Sequence, residues 1–222
     1  THGVNVEVRI ETEILGTGGG IKNTEDFWGK EPFLVINSDI LTDINLAAVY
    51  QVHKTSGSLV TLVLHDREPY NQVAVDRECN ITDIAKANMA GRFAFTGVHV
   101  IDPEVLSYIP KGVFSDIIEC YRELIRRREP VRACLVTGHH WRDIGSVTSY
   151  LEANRERSDD SFVRGPGCSL DSSIKLIDWG VIGEGDRIGK NVELQRSVLW
   201  DGVVVREGVK IVDSVVTSGR AV

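Results

Sequence analysis

Apolar and polar positions follow recognisable periods along the first two thirds of the chain. Residues 4–10 alternate between apolar and polar side chains, which is the pattern of a half-buried strand. Uninterrupted apolar runs in residues 32–40 and 58–65 are typical of strands that are buried on both faces of a sheet. The pattern therefore predicts at least three strands in the first 65 residues.

Helical spacing occurs in the segments that follow these strands. Residues 45–56, with Asn45 or Asp43 as the cap, and residues 115–128 have apolar positions on one helical face. The remaining predicted elements are helices at 21–28 and 145–157, a short helix with Asp102 as its cap and Pro103 at its first position, and strands at 72–75, 93–101 and 130–136. The order of strands and helices indicates an α/β fold with a parallel sheet.

A six-residue period replaces these patterns between Ile182 and Val216. The leading apolar residues are Ile182, Ile188 and Leu194, spaced by six. The spacing shortens by one residue at Trp200, after which Val205 and Ile211 continue the six-residue period. A second set of residues predicted to face inward is Val192, Val198, Val209 and Val215. Repeats of this length form parallel β-helices, in which three repeats complete one triangular coil. We therefore predict about two coils of a short left-handed parallel β-helix.

Composition and charge narrow the class of function. The chain has 222 residues, of which 42% are hydrophobic, and its formal net charge is −7. An acidic balance argues against a nucleic-acid-binding surface, which needs a basic face. No apolar run is long enough to cross a membrane, and the four cysteines form no C-x-x-C pair that would suggest zinc or redox chemistry. We expect a cytoplasmic protein that binds neither nucleic acid nor membrane.

Five sequence blocks carry a resemblance to a known family. In chain order they are ILGTGGGIKN, FLVINSDIL, FAFTGVHVI, FSDII and WRDIGSVTSYLEAN, followed by the hexapeptide repeats. The chain resembles bacterial sugar-1-phosphate nucleotidyltransferases, and within them the mannose-1-phosphate guanylyltransferase-like branch. The resemblance implies a Rossmann-like mixed sheet in a catalytic domain at residues 1–158, a linker at 159–173 and the β-helix at 174–222.

The resemblance also implies the reaction and its substrates. Such an enzyme joins a nucleoside triphosphate to a sugar 1-phosphate and releases pyrophosphate, with Mg²⁺ bound between carboxylates and phosphates. GTP and mannose 1-phosphate are the favoured substrates here, although the sequence leaves both the base and the sugar open. A non-catalytic regulatory protein that binds nucleotide sugars on the same fold is the alternative.

Two aspartates are the predicted catalytic and metal-binding residues. Asp39 ends an apolar strand, and ligands bind at the carboxyl ends of the strands in parallel sheets. Carboxylate oxygen is a preferred ligand of Mg²⁺, and the resemblance implies that Asp143 shares the metal. The other interpretation is that each aspartate caps the helix that follows it, but Asp43 and Ser146 are available for that purpose.

The glycine-rich stretch has two interpretations. Its glycines either form a tight turn with no ligand or let the backbone approach a ligand closely, because a Cβ would hold the ligand away. The resemblance favours the second and implies a nucleotide site at Leu15, Gly16, Thr17 and Gly18. It also places Glu11 where a carboxylate could accept the two N–H groups of guanine. Lys22, the lysine of this stretch, is expected to face solvent.

The sugar side of the site is less well defined by the sequence. The resemblance implies contacts from Gly97, Asp116 and Lys86. Gly97 could instead mark a close strand crossing, and Asp116 could instead cap the next helix.

The first residues of the chain depart from the family pattern. Nothing like the family's G-x-G-x-R-x-x-P-L-T loop precedes the strand predicted at residues 4–10. We therefore expect a fragment that is inactive by itself and associates into a homo-oligomer. A hexapeptide acyltransferase, which would use a histidine on the β-helix, is disfavoured because residues 174–222 contain no histidine.

Overall fold

The computed structural model describes residues 3–66, 70–156 and 161–218. The chain divides into two compact units. The first comprises Thr1–Ser38 and Thr42–Trp141, and the second comprises Asp39–Leu41 and Arg142–Val222. In the described ranges no helix is both long and apolar enough to span a membrane.

The first unit contains most of the predicted strands and helices. Its elements, with two strands that extend into the second unit, are α1 (Gly16–Lys22), β1 (Phe33–Ile36), β2 (Ile40–Thr42), α2 (Leu46–Ser56), β3 (Val60–His65), β4 (Asn71–Val75), β5 (Ile81–Ile84), β6 (Phe93–Ile101), a 3₁₀ helix (Pro103–Tyr108), α3 (Ile117–Arg126), β7 (Val131–Val136) and β8 (Trp141–Asp143). Asn45 caps α2, and Asp102 and Asp116 cap the 3₁₀ helix and α3. The predicted caps of these segments are thus confirmed, with Asn45 rather than Asp43 at α2.

The sheet of this unit is mixed rather than parallel. Its strand order is β5-β4-β6-β3-β7, and β1 also pairs with β6. β3 and β7 are parallel, whereas β6 is antiparallel to β1, β3 and β4. The prediction of a parallel sheet was therefore wrong at β6, because apolar runs do not reveal strand direction. The mixed sheet that the resemblance implied is confirmed.

The core of the first unit lies between this sheet and α3. Tyr121 and Leu124 of α3 are fully buried against apolar side chains of β3 and β6, among them Leu62 and Ile101. Burying a side chain of this size contributes about 1.5–3 kcal/mol to the free energy of unfolding. This packing fixes α3 against the sheet, and the site described below lies beside this helix.

Two predicted elements near the start of the chain are wrong. Residues 4–10 form no strand, and Val4, Val6, Val8 and Ile10 are 66%, 77%, 76% and 85% exposed. Alternation gives a strand only where a partner strand accepts its hydrogen bonds, and this segment pairs with none of the described strands. The helix expected at 21–28 instead occupies the glycine-rich stretch at 16–22.

The second unit is a parallel β-solenoid of about three turns with one helix packed on it. Its elements are α4 (Val147–Glu156), β9 (Phe162–Arg164), β10 (Ser169–Leu170), β11 (Lys175–Ile182), β12 (Arg187–Ile188), β13 (Glu193–Leu199), β14 (Val204–Val205), β15 (Lys210–Val212) and β16 (Val215–Val216). All pairings are parallel, with the strand columns β9-β11-β13-β15 and β10-β12-β14. This arrangement fits the predicted left-handed β-helix.

The hexapeptide period identifies the solenoid interior correctly. Its leading residues form one buried column, made of Ile182, Ile188, Leu194, Val205 and Ile211. The one-residue break in the period is also present in the pairing of β11 with β13. Leu176 pairs with Leu194, which is 18 residues later, whereas Gly180 pairs with Ser197, which is 17 residues later. A Cβ on Gly183 would lie 2.5 Å from the Asp201 nitrogen of the next coil, so only glycine allows the coils to stack there.

The second set of predicted inward residues is only partly correct. Val192 is buried inside the column, but Val198 is buried outside it, in a cluster with Leu151 of α4 and Trp179. Val209 is 39% exposed.

The solenoid also begins earlier than the hexapeptide period does. β9 and β10 lie inside the segment expected to be a linker, whose residues 159–160 are outside the described ranges. The first of the two strands pairs with β11 and the second with β12. These early strands make the solenoid longer than the two coils that the sequence predicted. The helix predicted at 145–157 is confirmed over Val147–Glu156, and Arg157 is not described.

Candidate active site

The glycine-rich helix α1 is hydrogen-bonded to the start of α3. The Gly18 N–H donates to the Ser115 carbonyl oxygen at 2.8 Å, and the Ser115 N–H donates to the Leu15 carbonyl oxygen at 2.8 Å. The Thr17 hydroxyl accepts a hydrogen bond from the Ile117 N–H at 3.1 Å. A flexible linker would not form backbone hydrogen bonds in both directions with α3, so this stretch is a docked structural element.

Close packing against the start of α3 explains Gly16 and Gly18 of this helix. Gly16 has φ +73°, and a Cβ there would lie 2.8 Å from the Ser115 oxygen and 2.9 Å from the Phe114 ring. A Cβ on Gly18 would lie 3.0 Å from the same oxygen. The sequence suggested either an unliganded turn or a ligand-binding loop, and this contact with α3 is a third reason for glycine.

A cavity of about 420 Å³ opens between α1, α3 and the sheet. Its lining residues are Gly16, Thr17, Gly20, Ile21, Val35, Asn37, Phe95, His99, Asp116, Ile117 and Ile118. Most of the wall is apolar, with a few polar side chains that can orient a ligand, which is the usual composition of a small-molecule site. Three residues predicted from the sequence therefore line one cavity: Gly16 and Thr17 for the nucleotide and Asp116 for the sugar.

His99 is a polar residue of this cavity that sequence reasoning missed. It is 2% exposed, and its Nδ1 lies 2.5 Å from the hydroxyl oxygen of Tyr121, which is fully buried. Burial lowers the pKa of His99 to about 3, so the imidazole is neutral at physiological pH. In the sequence His99 stands within an apolar strand, where no spacing or motif distinguishes it from a core residue.

The side chains of Glu11 and Lys22 are both engaged within the protein. The Glu11 Oε2 atom accepts a hydrogen bond from the Leu15 N–H at 3.0 Å, at the start of α1, and Glu11 is not among the residues that line the cavity. Its base-reading role stays a prediction. The Lys22 side chain is 13% exposed, donates to the Leu106 carbonyl oxygen at 2.9 Å and pairs with Glu25, so the expectation that it faces solvent was wrong.

Asp39 and Asp143 lie together in the second unit. A Cβ built on Gly145 would be 3.0 Å from Asp39 Oδ2 and 3.2 Å from Asp143 Oδ1. The Ile144 N–H donates to the Asp39 carbonyl oxygen at 2.9 Å, which ties the two short segments to each other. Two carboxylates that the sequence separates by more than a hundred residues thus face one point, and glycine at 145 leaves that point open.

The alternative role of these aspartates as helix caps finds little support. Ser146 caps α4, since its Oγ atom accepts a hydrogen bond from the Ser149 N–H at 3.1 Å. Asp143 Oδ1 accepts the Gly145 N–H at 2.8 Å, which orders the turn before α4. Asn45 caps α2, so Asp39 is not required there. Both aspartates retain oxygen atoms that are available to a cation.

A metal at this point would depend on few protein ligands. No group of three or more histidine, cysteine, aspartate or glutamate side chains in the described ranges could hold a metal ion. Mg²⁺ is commonly bound by one or two carboxylates together with water and substrate phosphates. Two convergent carboxylates therefore fit Mg²⁺ better than a metal that needs a complete protein cage.

The structure places the three predicted sugar-binding residues in different surroundings. Gly97 has φ +76°, and a Cβ there would lie 3.0 Å from the Asn37 side chain, so a close contact between β6 and the end of β1 already requires glycine. Asp116 caps α3 by accepting the Ile118 N–H at 2.9 Å and also lines the cavity. Lys86 is exposed after β5. Their contacts with a sugar stay predictions.

Comparison with protein families and curated proteins gives one consistent match. The model of the family described as nucleotidyl transferase matches residues 1–160. The chain is 26% identical over 233 residues to mannose-1-phosphate guanylyltransferase from Mycobacterium tuberculosis, a match that covers 93% of this chain and 62% of the relative. The chain thus spans less than two thirds of the length of that relative.

Solved structures share the fold at lower identity. A putative glucose-1-phosphate thymidylyltransferase from Bacillus anthracis, in complex with a sucrose, matches with a TM-score of 0.60 and 19% identity, over 72% of this chain and 68% of that one. HddC from Yersinia pseudotuberculosis, complexed with GMP-PN, matches with a TM-score of 0.55 and 20% identity, over 68% and 66% of the two chains.

Proposed function

Because the chain belongs to the nucleotidyl transferase family, we propose that its protein transfers a nucleotidyl group from a nucleoside triphosphate to a sugar 1-phosphate. GTP is the proposed donor and mannose 1-phosphate the proposed acceptor, as in the guanylyltransferase from Mycobacterium tuberculosis that the chain resembles. An oxygen of the sugar phosphate attacks the α-phosphorus of the triphosphate, and pyrophosphate leaves from the opposite side.

The convergence of Asp39 and Asp143 around Gly145 is the observation that carries this proposal. A regulatory protein that only binds nucleotide sugars has no need for two carboxylates aimed at one open point. Bound there, Mg²⁺ would neutralise charge on the phosphates as the transfer proceeds. Asp39 and Asp143 would hold the ion, and the Gly145 N–H would keep the Asp143 carboxylate in place.

The cavity beside α1 is the proposed nucleotide site. Gly16 and Thr17 form part of its lining, and the docking of Leu15 and Gly18 on Ser115 holds that part of the wall in position. Preorganised walls lower the entropic cost of binding, because the protein does not have to order them when the ligand arrives. In this proposal the chain's own residues at the cavity bind and orient the base.

A substrate panel tests the proposal. The full-length protein is incubated with Mg²⁺, with GTP, ATP, dTTP, UTP or CTP, and with mannose 1-phosphate or glucose 1-phosphate, and pyrophosphate release is measured. Release that requires both a triphosphate and a sugar 1-phosphate, and is fastest with GTP and mannose 1-phosphate, is the expected result. Binding of nucleotide sugars without pyrophosphate release from any pair would contradict the proposal and favour the regulatory alternative.

A further inference from the structure

The imidazole of His99 has one nitrogen engaged by Tyr121 and one available to a ligand. His99 lines the cavity beside α1 although it is almost completely buried. Within the part of the chain that the structure describes, the Tyr121 hydroxyl is its only side-chain hydrogen-bond partner, at Nδ1. The remaining polar atom of the ring is Nε2. None of the described residues bonds to Nε2, so a ligand or a water molecule in the cavity would satisfy it.

The Tyr121 hydroxyl determines which nitrogen of His99 carries the proton. A neutral imidazole has one N–H donor and one acceptor nitrogen. If Nδ1 carried the proton and donated to Tyr121, the buried Tyr121 O–H group would have no acceptor among the described residues. If Tyr121 donates to Nδ1, both groups are satisfied and Nε2 carries the proton. The tyrosine therefore presents Nε2–H as a fixed donor.

We propose that His99 is a specificity-determining residue, whose Nε2–H donates a hydrogen bond to the carbonyl oxygen of a guanine base bound in the cavity. The proposal rests on the function proposed above, because it assumes that this cavity receives the nucleotide. Phe95 and Val35 provide apolar wall against which a purine ring can pack. Asp116, which also lines the cavity, would supply carboxylate oxygen for the N–H groups of the guanine edge, in place of Glu11 and of its own predicted contact with a sugar.

The same arrangement rejects adenine. Adenine has an amino group where guanine has its carbonyl oxygen, so a donor would face the Nε2–H donor of His99. Neither group could then form its hydrogen bond inside an apolar wall. Sites built to bond one polar group discriminate strongly against an analogue that leaves their buried atoms unpaired. Inosine keeps the carbonyl oxygen and loses only the exocyclic amine, so it should be accepted.

The test compares GTP, ITP and ATP with the full-length protein and three variants. Dissociation constants are measured by calorimetry in Mg²⁺, and kcat/KM is measured from pyrophosphate release with mannose 1-phosphate. We expect GTP and ITP to be preferred to ATP by about 10- to 100-fold, the usual consequence of a satisfied against an unsatisfied buried donor. His99→Phe should lose most of this preference, mainly through weaker binding of GTP.

Tyr121→Phe keeps the histidine but removes the hydroxyl group that determines which ring nitrogen carries the proton. In this variant Nε2 can become an acceptor for the amino group of adenine, so ATP should bind more tightly than it does to the wild type. Tyr108→Phe is the matched control, since the Tyr108 hydroxyl bonds to Glu129 and that residue does not line the cavity. Its preference for GTP should equal that of the wild type.

Two results would overturn the inference. One is that His99→Phe leaves unchanged the ratio of kcat/KM for GTP to kcat/KM for ATP. This ratio does not depend on the fraction of folded protein, so a destabilised variant still gives an answer. The other is an Nδ1–H tautomer of His99 in ¹⁵N NMR spectra of the wild-type protein, which needs no variant. A protein that binds GTP through His99 but releases no pyrophosphate would contradict the proposed reaction and leave base recognition standing.

Discussion

The docking of α1 on α3 predicts that two glycines of one helix respond in opposite ways to alanine. A Cβ on Gly18 would lie 3.0 Å from the Ser115 oxygen and 3.1 Å from the Ile117 nitrogen, which are backbone atoms that cannot turn aside. A Cβ on Gly20 would meet only the Glu11 Oε1 atom, at 2.9 Å, and that atom ends a flexible, exposed side chain. The two sites therefore differ in what must move.

The magnitudes follow from two opposing contributions. Alanine is favoured over glycine inside a helix by about 0.5–1 kcal/mol. Overpacking against atoms that cannot yield costs about 1–3 kcal/mol. Gly20→Ala should therefore raise the free energy of unfolding by up to about 1 kcal/mol, whereas Gly18→Ala should lower it by up to about 2 kcal/mol, the overpacking cost reduced by the helix gain.

Urea unfolding, monitored through hydrogen exchange of the backbone amides in residues 117–126, measures this difference in stability in the first unit alone. A local readout is needed because a chain with two compact units need not unfold in a single transition. We expect Gly18→Ala to be less stable than Gly20→Ala by about 1–3 kcal/mol. Equal stabilities, or a more stable Gly18→Ala protein, would refute the close contact between α1 and the start of α3.

Two further predictions concern the solenoid and the charges near α1. Val198→Asp buries an unpaired charge under α4 and should destabilise the protein by about 3 kcal/mol or more. Val204→Asp, at a position 69% exposed, is the control and should change the melting temperature little. Similar melting temperatures for the two variants would mean that Val198 is not buried. Hydrogen bonds from Lys111 and Lys22 lower the pKa of Glu25 to about 2, so the stability it contributes is present above its unfolded value near 4.5 and is lost as the pH falls toward 2. Glu25→Gln should remove that part of the acid dependence in urea melts at low salt, and an unchanged pH profile would contradict the pairing.

Much of the fold could be predicted where a local pattern has one physical cause. The six-residue period places Ile182, Ile188 and Leu194 in the solenoid interior, because each coil must bury the same positions. Asn45 and Asp102 cap their helices as expected, since a cap needs only a short side chain and a nearby N–H group.

Other features could not be predicted because their cause lies elsewhere in the chain. The alternation of residues 4–10 suits a strand, but a strand also needs a partner, which a local pattern does not reveal. Gly16 and Gly18 of α1 are explained by Ser115, a contact across about a hundred residues of sequence. Val198 keeps the solenoid period and yet packs outward against α4, since a buried valine can belong to either core.

The candidate site shows the same division. Asp39 and Asp143 were proposed from their places after strands and from family resemblance, and the structure supplies their convergence on Gly145. His99 had no signal at all, because its role depends on the buried Tyr121 hydroxyl on another element. A polar residue within an apolar strand becomes informative only when its partner and the cavity beside it are known.

The most direct test of the proposed reaction is Mg²⁺-dependent pyrophosphate release by aspartate variants of the full-length protein. Asp39→Asn and Asp143→Asn exchange a carboxylate for an amide, a poorer ligand for a hard cation. Asp83→Asn is the control, since the Asp83 side chain is 54% exposed and pairs with Arg92. With GTP and mannose 1-phosphate, we expect the two site variants to lose about 10²–10³-fold or more in kcat, while melting temperatures stay near that of the wild type and Asp83→Asn remains active. Near-wild-type turnover by either site variant would contradict the assignment of that carboxylate to the metal, and with it the central claim.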